Sequence, residues 1–199
     1  MPEILKKLKK GYQAFQYAYT SQRPALLKNL AEGQHPQVMV VACSDSRVDP
    51  AIVFQCDPGE LFMVRNVANL VPTYKANHCC DSTSAALEYG VCHLHIPHLI
   101  IMGHSQCGGI AARLSDQDLN SDFIEDWVGP VNTDGCSADS VDCCAQKSLH
   151  QSYQNCLSFP WIKEQVDAGK LQIHRWFFDI GTGTILAYDS DADEFLPLC

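Results

Sequence analysis

Apolar residues at helical spacing open the chain. Between residues 2 and 32 they fall at Leu5, Leu8, Tyr12, Phe15 and Tyr19, then at Leu26, Leu27 and Leu30, the repeat of one helical face. Pro24 suits the first turn of a second helix, where its missing N–H costs nothing. This arm precedes any strand, so its apolar face calls for another surface or subunit. From Val38 the pattern changes. Val38 to Ala42 is a continuous apolar run rich in β-branched residues, as a strand covered on both faces requires. Leu61–Val64 and Leu99–Met102 are two further strands. Leu171–Asp179 and Thr184–Tyr188 follow, joined by the turn Gly181-Thr182-Gly183. Helical patterns lie between them: a short one at Ala51–Phe54, then Ser82–Leu94 through Ala85, Ala86, Tyr89 and His93, then Cys107–Leu114, Asp122–Val128 and Ser148–Ala168, the last broken at Pro160. Residues 129–147, rich in Gly, Pro, Asn, Ser and Asp and holding Cys136, Cys143 and Cys144, predict a loop. Strands alternating with helices give an α/β fold with a mostly parallel sheet. Ligands in such sheets sit beyond the carboxyl ends of the strands.

Composition sets the limits. The 199 residues carry a net charge of -9, with 46% hydrophobic and 19% charged residues, which excludes a disordered chain. The length fits a helical arm over residues 1–32 and one α/β domain over residues 33–199. The acidic balance argues against a nucleic-acid partner, which needs clustered Lys and Arg. Lys6, Lys7, Lys9 and Lys10 do cluster, and they read as the polar face of a terminal helix rather than a membrane or RNA patch. Met1 to Gly11 lacks the apolar core of a secretory signal, and no apolar run reaches the ~20 residues that span a bilayer. The expectation is a soluble, cytoplasmic protein with reduced thiols. Its 11 cysteines then point to metal or thiol chemistry for some and burial for others.

Two segments that follow strands carry reactive side chains. The first is Ala42-Cys43-Ser44-Asp45-Ser46-Arg47. Cys43, Asp45 and Arg47 share a face if the strand conformation persists. The second is Gly103-His104-Ser105-Gln106-Cys107-Gly108-Gly109, where Cys107 stands at a helix start, a position that eases thiol deprotonation. Parallel neighbouring strands would gather Cys43, His104 and Cys107. Two thiolates and an imidazole suit zinc with one open position; the alternative is three buried residues that never meet. Asp45 gripped by Arg47 would stay ionised and orient a water, or be a strand-end salt bridge. The second segment nearly makes a Gly-x-Ser-x-Gly nucleophile elbow, but Cys107 occupies the last glycine. His35, His78, His93, His95, His98, His150 and His174 read as surface or hydrogen-bonded core residues. Cys79-Cys80 and Cys143-Cys144 are adjacent pairs, not the Cys-x-x-Cys of redox sites.

Taken together, Cys43 to Arg47, Pro58-Gly59-Glu60-Leu61-Phe62, Arg65-Asn66-Val67-Ala68-Asn69 and Gly103 to Gly109 resemble the β-class carbonic anhydrases, and the resemblance runs from about Leu26 to Pro197. Ser121-Asp122-Phe123-Ile124-Glu125-Asp126-Trp127 resembles a stretch of the plant-type members. The resemblance implies one Zn2+ per subunit on Cys43, His104 and Cys107, a catalytic dyad of Asp45 and Arg47, and a substrate pocket of Gln34, Phe62, Val67, Tyr89 and Gly108. It implies reversible hydration of carbon dioxide to bicarbonate by a metal-activated hydroxide. It also implies four parallel strands plus an antiparallel edge strand, and a homodimer or larger homo-oligomer such as a tetramer. In that assembly the arm wraps the partner, and Gln34, Phe62 and Tyr89 reach the site across the interface. Members with a bicarbonate-regulated closed state carry Trp three residues before the first Cys ligand; here Val40 stands there, which implies an open site. Arg175 replaces the family's usual Gly, and the segment after Trp127 is short and cysteine-rich for the family. Hydrolysis of carbon disulfide or carbonyl sulfide on the same site is the enzymatic alternative. A structural zinc protein is the other, and needs a fourth ligand such as Cys56 or Cys79.

Overall fold

Met39 to Cys43 are buried one after another, so this run can only be an interior strand. In a computed structural model, which describes residues 1–76, 81–115, 120–137 and 140–199, it becomes β1 (Val38–Cys43), an interior strand second from one edge of a six-stranded sheet. The others are β2 (Leu61–Asn66), β3 (His98–His104), β4 (Gln172–Asp179), β5 (Thr184–Asp189) and β6 (Glu194–Pro197), in the order β2-β1-β3-β4-β5-β6. The first four in that order are parallel; β5 runs antiparallel to β4, and β6 to β5. The expected sheet therefore carries one antiparallel strand more than foreseen. Glu194–Pro197 has too few apolar residues to stand out, and its terminal proline fits an edge. His78, Cys79 and Cys80 lie outside the described residues.

Alternation along the strands sorts the core into two faces. Met39, Val41, Leu99, Ile101 and Phe177 meet Leu87 of α4 (Ser82–Glu88), Ile110 of α5 (Gly108–Leu114), Leu149 of α7 (Val141–Leu157) and Ile162 of α8 (Pro160–Asp167). Val40, Ala42, Ile100 and Met102 face the other way, towards Val53 of the short α3 (Pro50–Val53), Phe54 and Trp176. A Cβ on Gly103 would sit 3.3 Å from the Leu149 side chain, so the close packing of α7 on the sheet there favours glycine.

The chain divides into two units, Met1–His35 and Pro36–Cys199. The first holds α1 (Glu3–Tyr17), a π-helical turn at Ala18–Gln22 and α2 (Pro24–Glu32), with Pro24 in the first turn of α2. Ile4, Leu5, Leu8, Tyr12 and Phe15 are all exposed. In the second unit, α6 spans Ile124–Val128. Among the described residues no helix is long and apolar enough to cross a membrane.

One expectation fails outright. Residues 129–147 are not all loop, because α7 begins at Val141. Its buried residues, Cys144, Ala145, Ser148, Leu149, Ser152 and Cys156, recur at helical spacing. Cysteine and serine act there as small core residues, not as turn formers. Burial pushes the Cys144 thiol up to about 12, with Cys136 beside it adding to the shift. Burial alone raises Cys156 well above the usual thiol range. Both are packing residues that stay protonated.

Arg175, the residue that departs from the family pattern, ties the antiparallel edge to α7. Its guanidinium carbon lies 3.7 Å from the Tyr188 ring centre and 4.5 Å from that of Tyr153, a stacked cation–π arrangement. Its NH1 donates to His150 Nδ1 at 2.7 Å, which fixes the His150 proton on Nε2. The His150 ring meets Tyr188 and Phe195 edge-on, and Tyr188 donates to Asp193. Burial lowers the pKa of His150, Arg175 lowers it further, and Asp193 opposes them. His174 is lowered by burial and by His98, whose Nδ1 lies 3.3 Å from His174 Nε2. Unfolded, both imidazoles take protons near pH 6.5; folded, they resist. Stability contributed by these two groups is therefore complete above about pH 6.5 and is lost as pH falls below it. His150→Gln keeps an acceptor for Arg175 without the titration. Denaturant midpoints between about pH 7 and 5 should fall less steeply for that variant than for the parent; equal slopes would remove His150 from the account.

Candidate metal centre and active site

Ala42 pairs with Met102 across β1 and β3, so Cys43 and His104 leave the sheet side by side. Cys107 follows His104 through a tight turn and caps α5. The ligand atoms of Cys43, His104 and Cys107 all lie within 4.8 Å of one another, and all three residues are buried. The two sulfurs are 3.9 Å apart, close to the roughly 3.8 Å separating two thiolates each about 2.3 Å from a tetrahedral zinc. His104 Nδ1 is 2.9 Å from the Ser105 carbonyl, which can only accept, so Nδ1 carries the proton. That leaves a lone pair on Nε2, a buried atom with no hydrogen-bond partner. A buried acceptor left bare beside two thiols is costly without a cation to receive it. The donor set fits zinc.

The backbone is built for thiolate charge. Amides of Gly109 and Ile110 point at the Cys107 sulfur, and those of Asp45 and Ala68 at Cys43. The Cys107 thiol beside it holds Cys43 well below the usual thiol range, and the same contact raises Cys107.

β1 ends at Cys43, so Asp45 and Arg47 do not continue its face; a turn brings them together instead. Arg47 Nε donates to Asp45 Oδ1 at 2.9 Å and NH2 to Oδ2 at 2.7 Å, while the Arg47 amide also donates to Oδ1 at 2.9 Å. These bonds hold the Asp45 carboxyl far below the usual carboxylate range. Its Oδ2 lies 3.9 Å from His104 Nε2, so the carboxylate looks directly onto the ligand cluster.

Val67 follows β2 in a turn where Ala68 (φ 64°) and Asn69 (φ 47°) are left-handed. Backbone strain of this kind persists only where surroundings impose it. The Asn66 carboxamide holds both the N–H and the carbonyl of Leu70 at 2.8 Å, and Trp127 Nε1 donates to the Val67 carbonyl at 2.8 Å. Gly109 must be glycine: a Cβ there would lie 2.6 Å from Val67 Cγ1 and 3.0 Å from Ala68 Cβ. A Cβ on Gly108 would meet nothing within 4 Å, so open space lies beside it.

Two pocket candidates are not brought to the cluster. Phe62 pairs with Met39, four positions down the strand from the Cys43–Asn66 pair, which is about 13 Å away. Tyr89 packs on Phe62 with ring centres 6.0 Å apart. Gln34 belongs to the first unit. Of the two candidate fourth ligands, Cys56 stands apart from the cluster, with its sulfur 3.8 Å from the Phe54 carbonyl; Cys79 lies outside the described residues.

A model of the carbonic anhydrase family matches residues 38–185. The solved structure of the β-carbonic anhydrase CcaA superposes with a TM-score of 0.90 at 30% identity, over 98% of this chain and 100% of that one. The chain belongs to the β-class carbonic anhydrases. A carbonic anhydrase from Synechocystis is 31% identical to it, covering 96% of this chain and 74% of that protein. Beta carbonic anhydrase 3 of Arabidopsis thaliana is 32% identical, with 95% and 78% covered. A tetrameric β-carbonic anhydrase from Sordaria macrospora has a TM-score of 0.83 at 30% identity, with 94% and 97% covered.

Arg65 stands within a sequence motif of this anhydrase that assigns it no role. Its Nε donates to the Cys43 carbonyl at 2.9 Å, NH2 to those of Asp45 and Val48 at 2.7 and 2.8 Å, and NH1 to Asp49 Oδ2 at 2.9 Å. Asp49 Oδ1 meanwhile caps α3 through Ala51 N and Ile52 N. One guanidinium thus shapes the whole turn from Cys43 to Asp49. The signal was available: an arginine at the carboxyl end of a buried strand needs several acceptors. Arg65→Ala should cost about 2 kcal/mol or more by orphaning these carbonyls and should lower metal retention. Arg65→Lys should recover only part, since an ammonium cannot fork to four acceptors. Urea midpoints and bound-metal analysis test this; an Arg65→Ala protein of parental stability and metal content would refute it.

Proposed function

We propose that this carbonic anhydrase hydrates carbon dioxide reversibly with one zinc ion held by Cys43, His104 and Cys107, and with Asp45 and Arg47 as its catalytic dyad. The observation that carries this reading is the buried Nε2 of His104, without a hydrogen-bond partner, facing two thiols 3.9 Å apart. Bound there, zinc would supply Lewis-acid activation of water near neutral pH.

The chain's own residues do the rest. Arg47 occupies both Asp45 oxygens and keeps the carboxylate ionised, so Asp45 can only accept a hydrogen bond. It therefore takes the proton-bearing side of the attacking water and turns a lone pair towards carbon dioxide. The same grip favours an open site, because it holds the carboxylate back from the ligand cluster. Val67 and the open space beside Gly108 give the apolar substrate a place to lie. Phe62 and Tyr89, out of reach of their own Cys43, complete the pocket of a second copy, and Gln34 donates there to an oxygen of carbon dioxide or bicarbonate. Homo-oligomerisation is supported by this split pocket, by the exposed apolar residues of α1 and by the tetrameric Sordaria macrospora relative.

Metal analysis with stopped-flow hydration tests the assignment. Cys43→Ser and His104→Ala should lose zinc. Asp45→Asn should keep it and lose about a hundredfold or more in hydration rate, on the scale of one misplaced catalytic hydrogen bond. A zinc-replete Asp45→Asn enzyme with normal rates would end the role given to the carboxylate.

A further inference from the structure

We propose that Asp142, in the first turn of α7, is a positioning residue for the Asp45–Arg47 pair; the inference rests on that pair being catalytic. Asp142 lies in the stretch that the sequence presents as loop, and no motif marks it. Its Oδ1 accepts the backbone N–H of Gln106 at 2.6 Å, a short, charge-assisted bond. Gln106 sits between His104 and Cys107 in the left-handed region, φ 53°, where a side chain is disfavoured. Such a conformation is kept by the structure around it, and here both flanking peptides are held. Asp142 holds the peptide on the amino side. On the carboxyl side the Gln106 carbonyl accepts Arg47 NH2 at 3.0 Å. That same nitrogen donates to Asp45 Oδ2 at 2.7 Å.

A continuous chain of bonds therefore runs from α7 to the catalytic carboxylate through Gln106 and Arg47. Its far end is fixed. Cys144 and Ala145, the next turn's inward residues, are fully buried, and α7 packs on β3 and β4. Its near end needs fixing, because the Arg47 side chain is 45% exposed and long enough to wander. The Gln106 carbonyl is the second acceptor that aims the guanidinium. Asp142 decides where that carbonyl stands.

The competing view makes Asp142 a loop tie that affects stability alone. A mutant cycle on the zinc-loaded enzyme separates the two. Asp142→Ala should lower kcat/KM for carbon dioxide hydration about three- to tenfold, the scale of one hydrogen bond, at unchanged zinc content. Hydrogen exchange at the Gln106 amide should quicken. Asp142→Asn, which keeps an acceptor oxygen, should restore most of both. In an Arg47→Ala background the further change Asp142→Ala should cost less than about twofold. Unchanged kcat/KM in Asp142→Ala, or losses that multiply in full with Arg47→Ala, would overturn the proposal. Arg47→Ala with parental activity would instead overturn the catalytic reading of the dyad itself.

Discussion

Parallel pairing of β1 with β3 sets Ala42 beside Met102, and each part of the site follows from how the chain leaves the sheet at that level. A one-residue slip between these strands would turn Cys43 from the face it shares with Met39 and Val41 to the opposite one. What resists the slip is shape: Met39 and Val41 fill one core and Val40 and Ala42 another, and exchanging the two sets would leave voids on one face and overlaps on the other. Close packing therefore fixes the positions of the candidate ligands, two of which, Cys43 and Cys107, are themselves part of the core. The candidate metal centre follows from register.

Register brings the ends together without aiming them. Aiming is done by polar groups that the end of a buried strand must satisfy anyway. The carbonyls of Cys43, Asp45 and Val48 turn away from the ladder and need donors; Arg65 supplies them all. Leu70 needs both a donor and an acceptor, and Asn66 supplies both. The ordinary requirement that buried polar groups be paired thus shapes the turns that carry Asp45 and Val67. This is why catalytic precision here needs few residues with no structural duty.

Much of this was legible in the sequence, and the failures share a cause. β1 to β5 announce themselves through apolar runs, and Cys43, His104 and Cys107 through their position after strands. The start of α7 did not, because Cys144 and Ala145 face the core from a stretch rich in turn formers, and helical period is hard to see in small residues. β6 is too short and too exposed to leave a pattern. Arg65 and Asp142 were hidden for a deeper reason: each works through backbone atoms of other segments, and backbone acceptors leave no letter in a sequence. Pattern finds side chains that meet side chains; it does not find side chains that hold main chain.

The proposed substrate pocket calls for a second chain for a physical reason. Phe62, on the first half of β2, lies about 13 Å along the strand from the level of Cys43, and Tyr89, which follows α4, packs on it. In the proposed assembly a second copy would bring its aromatics in from outside the turn where Val67 and Gly109 already approach to contact, and so would leave that packing undisturbed. The apolar residues of α1, exposed in the single chain, add area that such an association would remove from water. On that proposal the substrate wall and the exposed apolar face of α1 would be completed by the same partner, because the core closed around Cys43, His104 and Cys107 leaves room for neither.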